Sequence, residues 1–159
     1  MGFHSYTSFK GSKTGPFKGE SSKPKRSDEW FDIDSIHMST EAPRTSNSGN
    51  PKGARHHKTI TLTREVDAAS PLLFKACWSN EIFPEVVLEV TAGEKSGHER
   101  VVWRTVLTDA VIAHVKPHYG HATKAAKKME SVSLVFRNIS VTNSPPNTST
   151  TDDWNANSQ

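Results

Sequence analysis

The sequence predicts a mainly β protein, two antiparallel sheets forming a squat β-barrel, with one short α-helix at about residues 70–80 and a long extended loop. Three observations carry this. Most apolar segments alternate with polar residues at a period of two, the signature of a strand with one face on a core. Only one segment, beginning at Ser70-Pro71, has helical spacing. Long Gly, Pro, Ser and Asn stretches separate the segments and read as loops.

In chain order, Ser5 to Phe9 is a short strand candidate, and Glu29 to Met38 a longer one. In the latter the inward set shifts from Phe31 and Ile33 to Ile36 and Met38, which predicts a bulge near Asp34. Lys58 to Arg64 sets Ile60 and Leu62 against Thr59, Thr61 and Thr63, a half-buried strand. Ser70 supplies an N-cap oxygen and Pro71 a ring suited to the first helical turn. Leu72, Leu73, Ala76 and Cys77 then form one apolar stripe, and Asn80 and Pro84 end the helix. Glu85 to Thr91 returns to period two, with Val86, Leu88 and Val90 inward and Glu85, Glu89 and Thr91 outward.

Arg100 to Leu107 places Val101, Trp103, Thr105 and Leu107 on one face, and Ala110 to Lys116 places Val111, Ala113 and Val115 together. Ser131 to Thr142 carries Val132, Leu134 and Phe136, then Ile139 and Val141, a register change around Arg137-Asn138. Some seven or eight strands around one helix call for two packed sheets or a squat barrel.

The chain of 159 residues suits one core. The expected organisation is a single domain over residues 1–143 and a C-terminal tail over 144–159. The hydrophobic fraction is 33%, and the polar excess falls in Gly11 to Asp28, Thr40 to His57 and Asn143 to Gln159. Net charge is +3, with bases clustered at Lys10, Lys13, Lys18, Lys23, Lys25 and Arg26 and again at Lys124, Lys127 and Lys128. Residues 1–6 hold no apolar run of signal-peptide length, so the expectation is a chain made and kept in the cytoplasm, with any export going through a dedicated machine and without a cleavable signal. The lone cysteine, Cys77, sits on the helix stripe and reads as a small core hydrophobe.

The order strand, junction, helix, strand over residues 58–93 resembles the haemolysin-coregulated protein (Hcp) family, the tube subunit of bacterial type VI secretion systems. The similarity rests on Arg64-Glu65-Val66-Asp67-Ala68-Ala69-Ser70-Pro71, on the Leu/Ala/Cys-rich helix and on Glu85 to Val90. Phe17-Lys18-Gly19-Glu20-Ser21 resembles the family's Lys-Gly-Glu-Ser turn, and Trp30 to Ile33 its second strand. Thr105 to Val111 resembles its Leu-Thr-Asp-Val step, Met129 to Leu134 its last long strand, and Asp153-Trp154-Asn155 its C-terminal Trp. The first strand departs from the pattern, because Thr7-Ser8-Phe9 replaces a more aliphatic run.

The resemblance implies a structural protein and no enzyme: homohexameric rings that stack into a tube, delivered with a spike protein by a contractile sheath, with small effector cargo in the lumen. No cofactor, membrane or nucleic-acid partner follows from it. The polar set Ser35, His37 and Ser39 is the candidate lumen lining, and Arg44, Asn50, Lys52 and Arg55 are candidates for the loop's contact with a neighbouring ring. Phage tail-tube proteins share the architecture.

Other chemistries have weaker support. His114, His118 and His121, with His56-His57, invite a metal, but His114 falls on a predicted strand and His118 to His121 in a loop, so the spacing does not fix one face. No Gly-x-Ser-x-Gly, His-Glu-x-x-His or phosphate loop occurs. The alternative from a different class is a small basic β-barrel binding single-stranded nucleic acid, with Phe9, Phe17, Trp30 and Phe31 as stacking platforms among the bases.

Overall fold

Alternation over most of the chain becomes twelve strands and one helix in a computed structural model that describes residues 3–18, 30–42, 48–50, 56–118, 128–144 and 147–154. The strands are β1 (Phe3–Gly11), β2 (Gly15–Pro16), β3 (Phe31–Ile33), β4 (Ser35–His37), β5 (Thr40–Glu41), β6 (His56–His57) and β7 (Ile60–Glu65). After α1 (Ser70–Trp78) come β8 (Phe83–Gly93), β9 (Glu99–His118), β10 (Met129–Val135), β11 (Asn138–Asn143) and β12 (Thr148–Asp153).

All pairing is antiparallel. The order runs β2-β1-β8-β9-β10-β7-β4, with β3 on β1, β11 on β9 and β12 on β11; β5 and β6 form a separate ribbon. The 20-residue β9 belongs to two sheets. Its first half pairs with β8 and β11, and its second half, from Val111, pairs with β10. The sequence reads two strands here. They are one strand bent at Asp109, whose φ of 51° is a left-handed conformation that short polar side chains tolerate. That bend resets the inward set: Ala110 and Ile112 are buried, and Val111 is not. A further irregularity opposite Ser133/Leu134 returns Val115 to the core.

The slip near Asp34 has a similar origin. Instead of a bulge within one strand, the chain turns a corner: β3 pairs with β1 in the first sheet and β4 with β7 in the second. Corners of this kind let two sheets wrap one core. The break expected at Arg137-Asn138 is present, between β10 and β11. The first strand, despite its polar run, pairs with β8 from Phe3↔Ala92 to Lys10↔Glu85. Thr7 is tolerated in the interior because its hydroxyl donates to the Val87 carbonyl at 3.0 Å.

On β8, Glu89 and Thr91 are buried instead of outward-exposed. Tyr6 lies opposite Glu89, and Arg104 pairs with it at 3.5 Å. Within 144–159, residues 148–153 form β12 and Trp154 packs edge-on to Phe136 at 4.8 Å, so this stretch includes ordered sheet.

Between the sheets lies one core. Phe9, Phe17, Phe31 and Phe83 form its aromatic end, with centroids 5.3–6.2 Å apart. Leu73 and Ala76 of α1 pack on it, with Leu72 and Cys77 half-buried beside them.

A buried carboxylate fastens this end. Glu81 accepts from the backbone N–H groups of Lys13 (2.9 Å) and Thr14 (2.7 Å) and from the Thr14 hydroxyl (3.0 Å). A Cβ at Gly11 would stand 2.9 Å from that carboxyl carbon. Because the turn's hydrogen bonds hold Glu81 in place, Gly11→Ala should cost about 1–3 kcal/mol. The check is a urea midpoint that falls while the m-value stays unchanged.

Candidate assembly surface

The second sheet, formed by the C-terminal half of β9 with β10, β7 and β4, has two chemically distinct faces. Ile36, Leu62, Val132 and Val115 lie along one cross-strand row and face the core. The residues between them face outward. One outward row runs His37, Thr61, Ser133 and His114, and the next runs Ser35, Thr63, Ser131 and Lys116. Thr61 and Ser133 share a hydrogen bond of 3.1 Å, as do His118 and Ser131. This surface is built from hydroxyls and imidazoles, with few formal charges. It follows from strand alternation, since every second residue of four paired strands must share one face.

Ser35 and His37 therefore lie on this face. Ser39 lies beyond the end of β4 and lines a cleft instead. Among the described residues both edges of this sheet lack a strand partner: β4 at one side, and β9 from Val111 onward at the other. α1 sits against the latter, with Cys77 Sγ 3.9 Å from the Ala113 carbonyl oxygen.

Of the loop candidates, Asn50 is exposed, and Arg44, Lys52 and Arg55 lie outside the described residues. The loop's stem is the β5–β6 ribbon. His57 pins it: Nε2 meets Asp152 Oδ2 at 2.7 Å, Nδ1 meets the Thr40 hydroxyl at 3.1 Å, and the ring lies 5.4 Å from Phe136 and 5.9 Å from Trp154. His57 thus serves the fold of the stem. His114 and His118 are four residues apart on one strand, about 13 Å, too far to share an ion. His121 lies outside the described residues.

Three of the four rings of the stacking platform are not available, and the fourth, Trp30, is half-buried. Phe9, Phe17 and Phe31 are each 1% exposed and packed on one another. Rings held in a core cannot receive bases.

The junction before α1 resolves into a buried ionic cluster. Arg64 is on the inward face of β7, in line with Ile60 and Leu62. Its guanidinium pairs with Glu130 of β10 and with Asp67 at 2.6 Å, and lies 5.0 Å from the Phe31 ring centre. The Ser70 hydroxyl donates to Glu130 (3.0 Å) and accepts from the Asp67 backbone N–H (3.1 Å). Asp67 accepts from the Ala69 N–H at 2.8 Å. The expected N-cap at Ser70 is thereby corrected: Ala69 is the N-cap, without a side-chain cap, because the Ser70 hydroxyl is committed to the cluster. Sequence reading finds the Asp-x-x-Ser-Pro spacing, but Glu130, sixty-six positions from Arg64, carries no local signal.

Comparison with known proteins accords with this geometry. Residues 6–142 match the family described as type VI secretion system effector, Hcp. The chain is 33% identical over 116 residues to the major exported protein of Pseudomonas aeruginosa, covering 70% of this chain and 67% of that protein. Its fold is similar to a crystal structure of an Hcp protein, at a TM-score of 0.88 and 22% identity over 95% of this chain and 99% of the other. It is also similar to a secreted Hcp protein from Pseudomonas aeruginosa, at a TM-score of 0.79 and 23% identity over 98% and 100% of the two chains. The chain belongs to the Hcp family of type VI secretion systems, a family of structural proteins and not of enzymes.

Proposed function

We propose that this chain is a tube subunit that closes into homohexameric rings, which stack into a tube delivered with the spike by sheath contraction. The observation that carries this reading is the second sheet, with its polar outer face and, among the described residues, no strand paired to either edge. An open edge is an aggregation hazard when left exposed. Joining β4 of one copy to the β9 edge of the next satisfies both edges and extends the sheet into a larger barrel. Such contacts are heterologous, and they form a ring when the rotation closes.

In that assembly the outward rows containing Ser35 and His37 line the lumen, and Ser39 stands at its margin. The hydroxyl-rich lining suits hydrated small effectors. The loop bearing Arg44, Asn50, Lys52 and Arg55 reaches a neighbouring ring from its His57-pinned stem. Family membership and the exported relative support the reading of the spike, the sheath and export after cytoplasmic assembly. Among the described residues no helix is long and apolar enough to cross a membrane.

Light scattering of the purified protein, with negative-stain imaging of the same peak, tests the reading. The expected result is a mass near six subunits and annular particles. A stable monomer at every accessible concentration would sink it.

A further inference from the structure

Two surfaces remain unexplained by the lumen and the loop. At the C-terminal end of α1, Trp78 is 77% exposed and Ile82 is 49% exposed. Exposed aromatic groups of this size are characteristic anchors of protein interfaces. Lys75, one turn back on the same side of the helix, is exposed. Lys13 is exposed in the adjoining turn, which is tied to Ile82 by the Ser12 N–H at 3.0 Å. The projection is apolar with a basic rim; its nearby acid, Glu81, is buried and satisfied by the turn.

At the other end of the β8–β9 hairpin, a cleft of about 510 Å³ opens over Trp103, Met38 and Val141. A second hollow of about 320 Å³ continues it beside Val90. The Trp103 ring is fixed by its Nε1–H, which donates to the Thr105 hydroxyl at 3.0 Å. Asp152 lines the cleft, and Glu41 follows the lining residue Thr40. Both acids have basic partners, Asp152 in His57 at 2.7 Å and Glu41 in Lys58 at 3.5 Å, so what the cleft offers is shape and apolar surface.

Their placement is informative. α1 lies against the β9 edge of the second sheet, and Met38 directly follows β4 at the opposite edge. When the β9 edge of one copy meets β4 of the next, the projection is carried toward the neighbour's cleft.

We propose that the cleft's occupant is a second copy of this chain: Trp78 of one subunit seats against Trp103 and Met38 of the next. The inference rests on the ring reading and names the contact that closes the ring. Burying an aromatic anchor in a preformed pocket stabilises an interface far more than rim contacts do.

The test is the solution mass of Trp78→Glu, Trp78→Ala and Met38→Glu, with Phe3→Glu as a control, since Phe3 is 72% exposed outside both surfaces. Association should weaken roughly thirtyfold per contact for Trp78→Ala. Both glutamate variants should run as folded monomers where the unaltered protein and Phe3→Glu run as rings. In a Cys77→Ser background, Ser79→Cys with Thr150→Cys should give a covalent ladder with a short bismaleimide, and neither single cysteine should. Intact rings of Trp78→Glu, or rings that yield no ladder, overturn the contact and leave the ring reading standing. A monomeric unaltered protein removes both.

Discussion

Replacing Arg64 with Met should lower the unfolding free energy by about 3–5 kcal/mol, among the largest single effects in this chain. The Arg64 side chain is 2% exposed, that of Glu130 1% and that of Asp67 13%. Removing the guanidinium leaves two carboxylates without their shared cation, one fully buried. The cost lies mainly in the uncompensated charge, because the pair itself breaks roughly even against apolar packing. The combined change Arg64→Met with Glu130→Leu should therefore recover much of the loss, a non-additivity that a double-mutant cycle reads directly. Arg64→Lys should rescue poorly: one ammonium cannot span Glu130, Asp67 and the Phe31 face as a planar guanidinium does. Urea denaturation gives the measurement. A single-variant loss under about 1 kcal/mol would mean that water enters the cluster and the junction is not a clamp. Because the cluster sets where α1 begins, the variant should also loosen the helix that presents Trp78, coupling stability to assembly.

Strand existence was largely legible, since Ile60 and Leu62, or Val132 and Leu134, repeat at the pleat's own period. The helix was legible for the opposite reason: Leu73 and Ala76 fit no strand. What period two could not report was which strands change sheets. Asp34 and Asp109 each shift the inward set by local backbone geometry, so the slip at Asp34 looked like a bulge and the bend at Asp109 looked like a strand end. Buried polar side chains were invisible for a related reason. Arg64 and Glu89 occupy interior positions because an opposite charge meets each from another strand: Glu130, sixty-six positions away, and Arg104, the cross-strand neighbour on β9. The outer face holding Ser35 and His37 was readable strand by strand, but its extent through Thr61, Ser133 and His114 required register. Exposure of Trp78 and burial of Phe17 depend on packing at the helix end, which composition does not encode.

Phe17→Ala separates the two readings of the basic N-terminal third. Phe17 is 1% exposed, lies 5.3 Å from Phe83 and 6.2 Å from Phe9, and is anchored by its backbone N–H to the Phe9 carbonyl at 2.9 Å. A buried phenylalanine in an aromatic cluster loses both transfer free energy and edge-to-face contacts when truncated, and the rigid walls of two sheets collapse little into the void. The expected cost is about 3–5 kcal/mol. For a chain of this size that corresponds to a fall in Tm of roughly 6–20 °C. Thermal unfolding followed by circular dichroism measures it. A base-stacking residue behaves otherwise: its removal leaves Tm almost unchanged and lowers single-strand affinity by about 1–3 kcal/mol. An unchanged Tm in Phe17→Ala, together with weakened oligonucleotide binding, would place Phe17 outside the core and return the basic segment to function. A large loss of Tm fixes it as the plug at the aromatic end, where it stabilises the β1 turn that Glu81 caps and, through Phe83, the platform on which α1 rests.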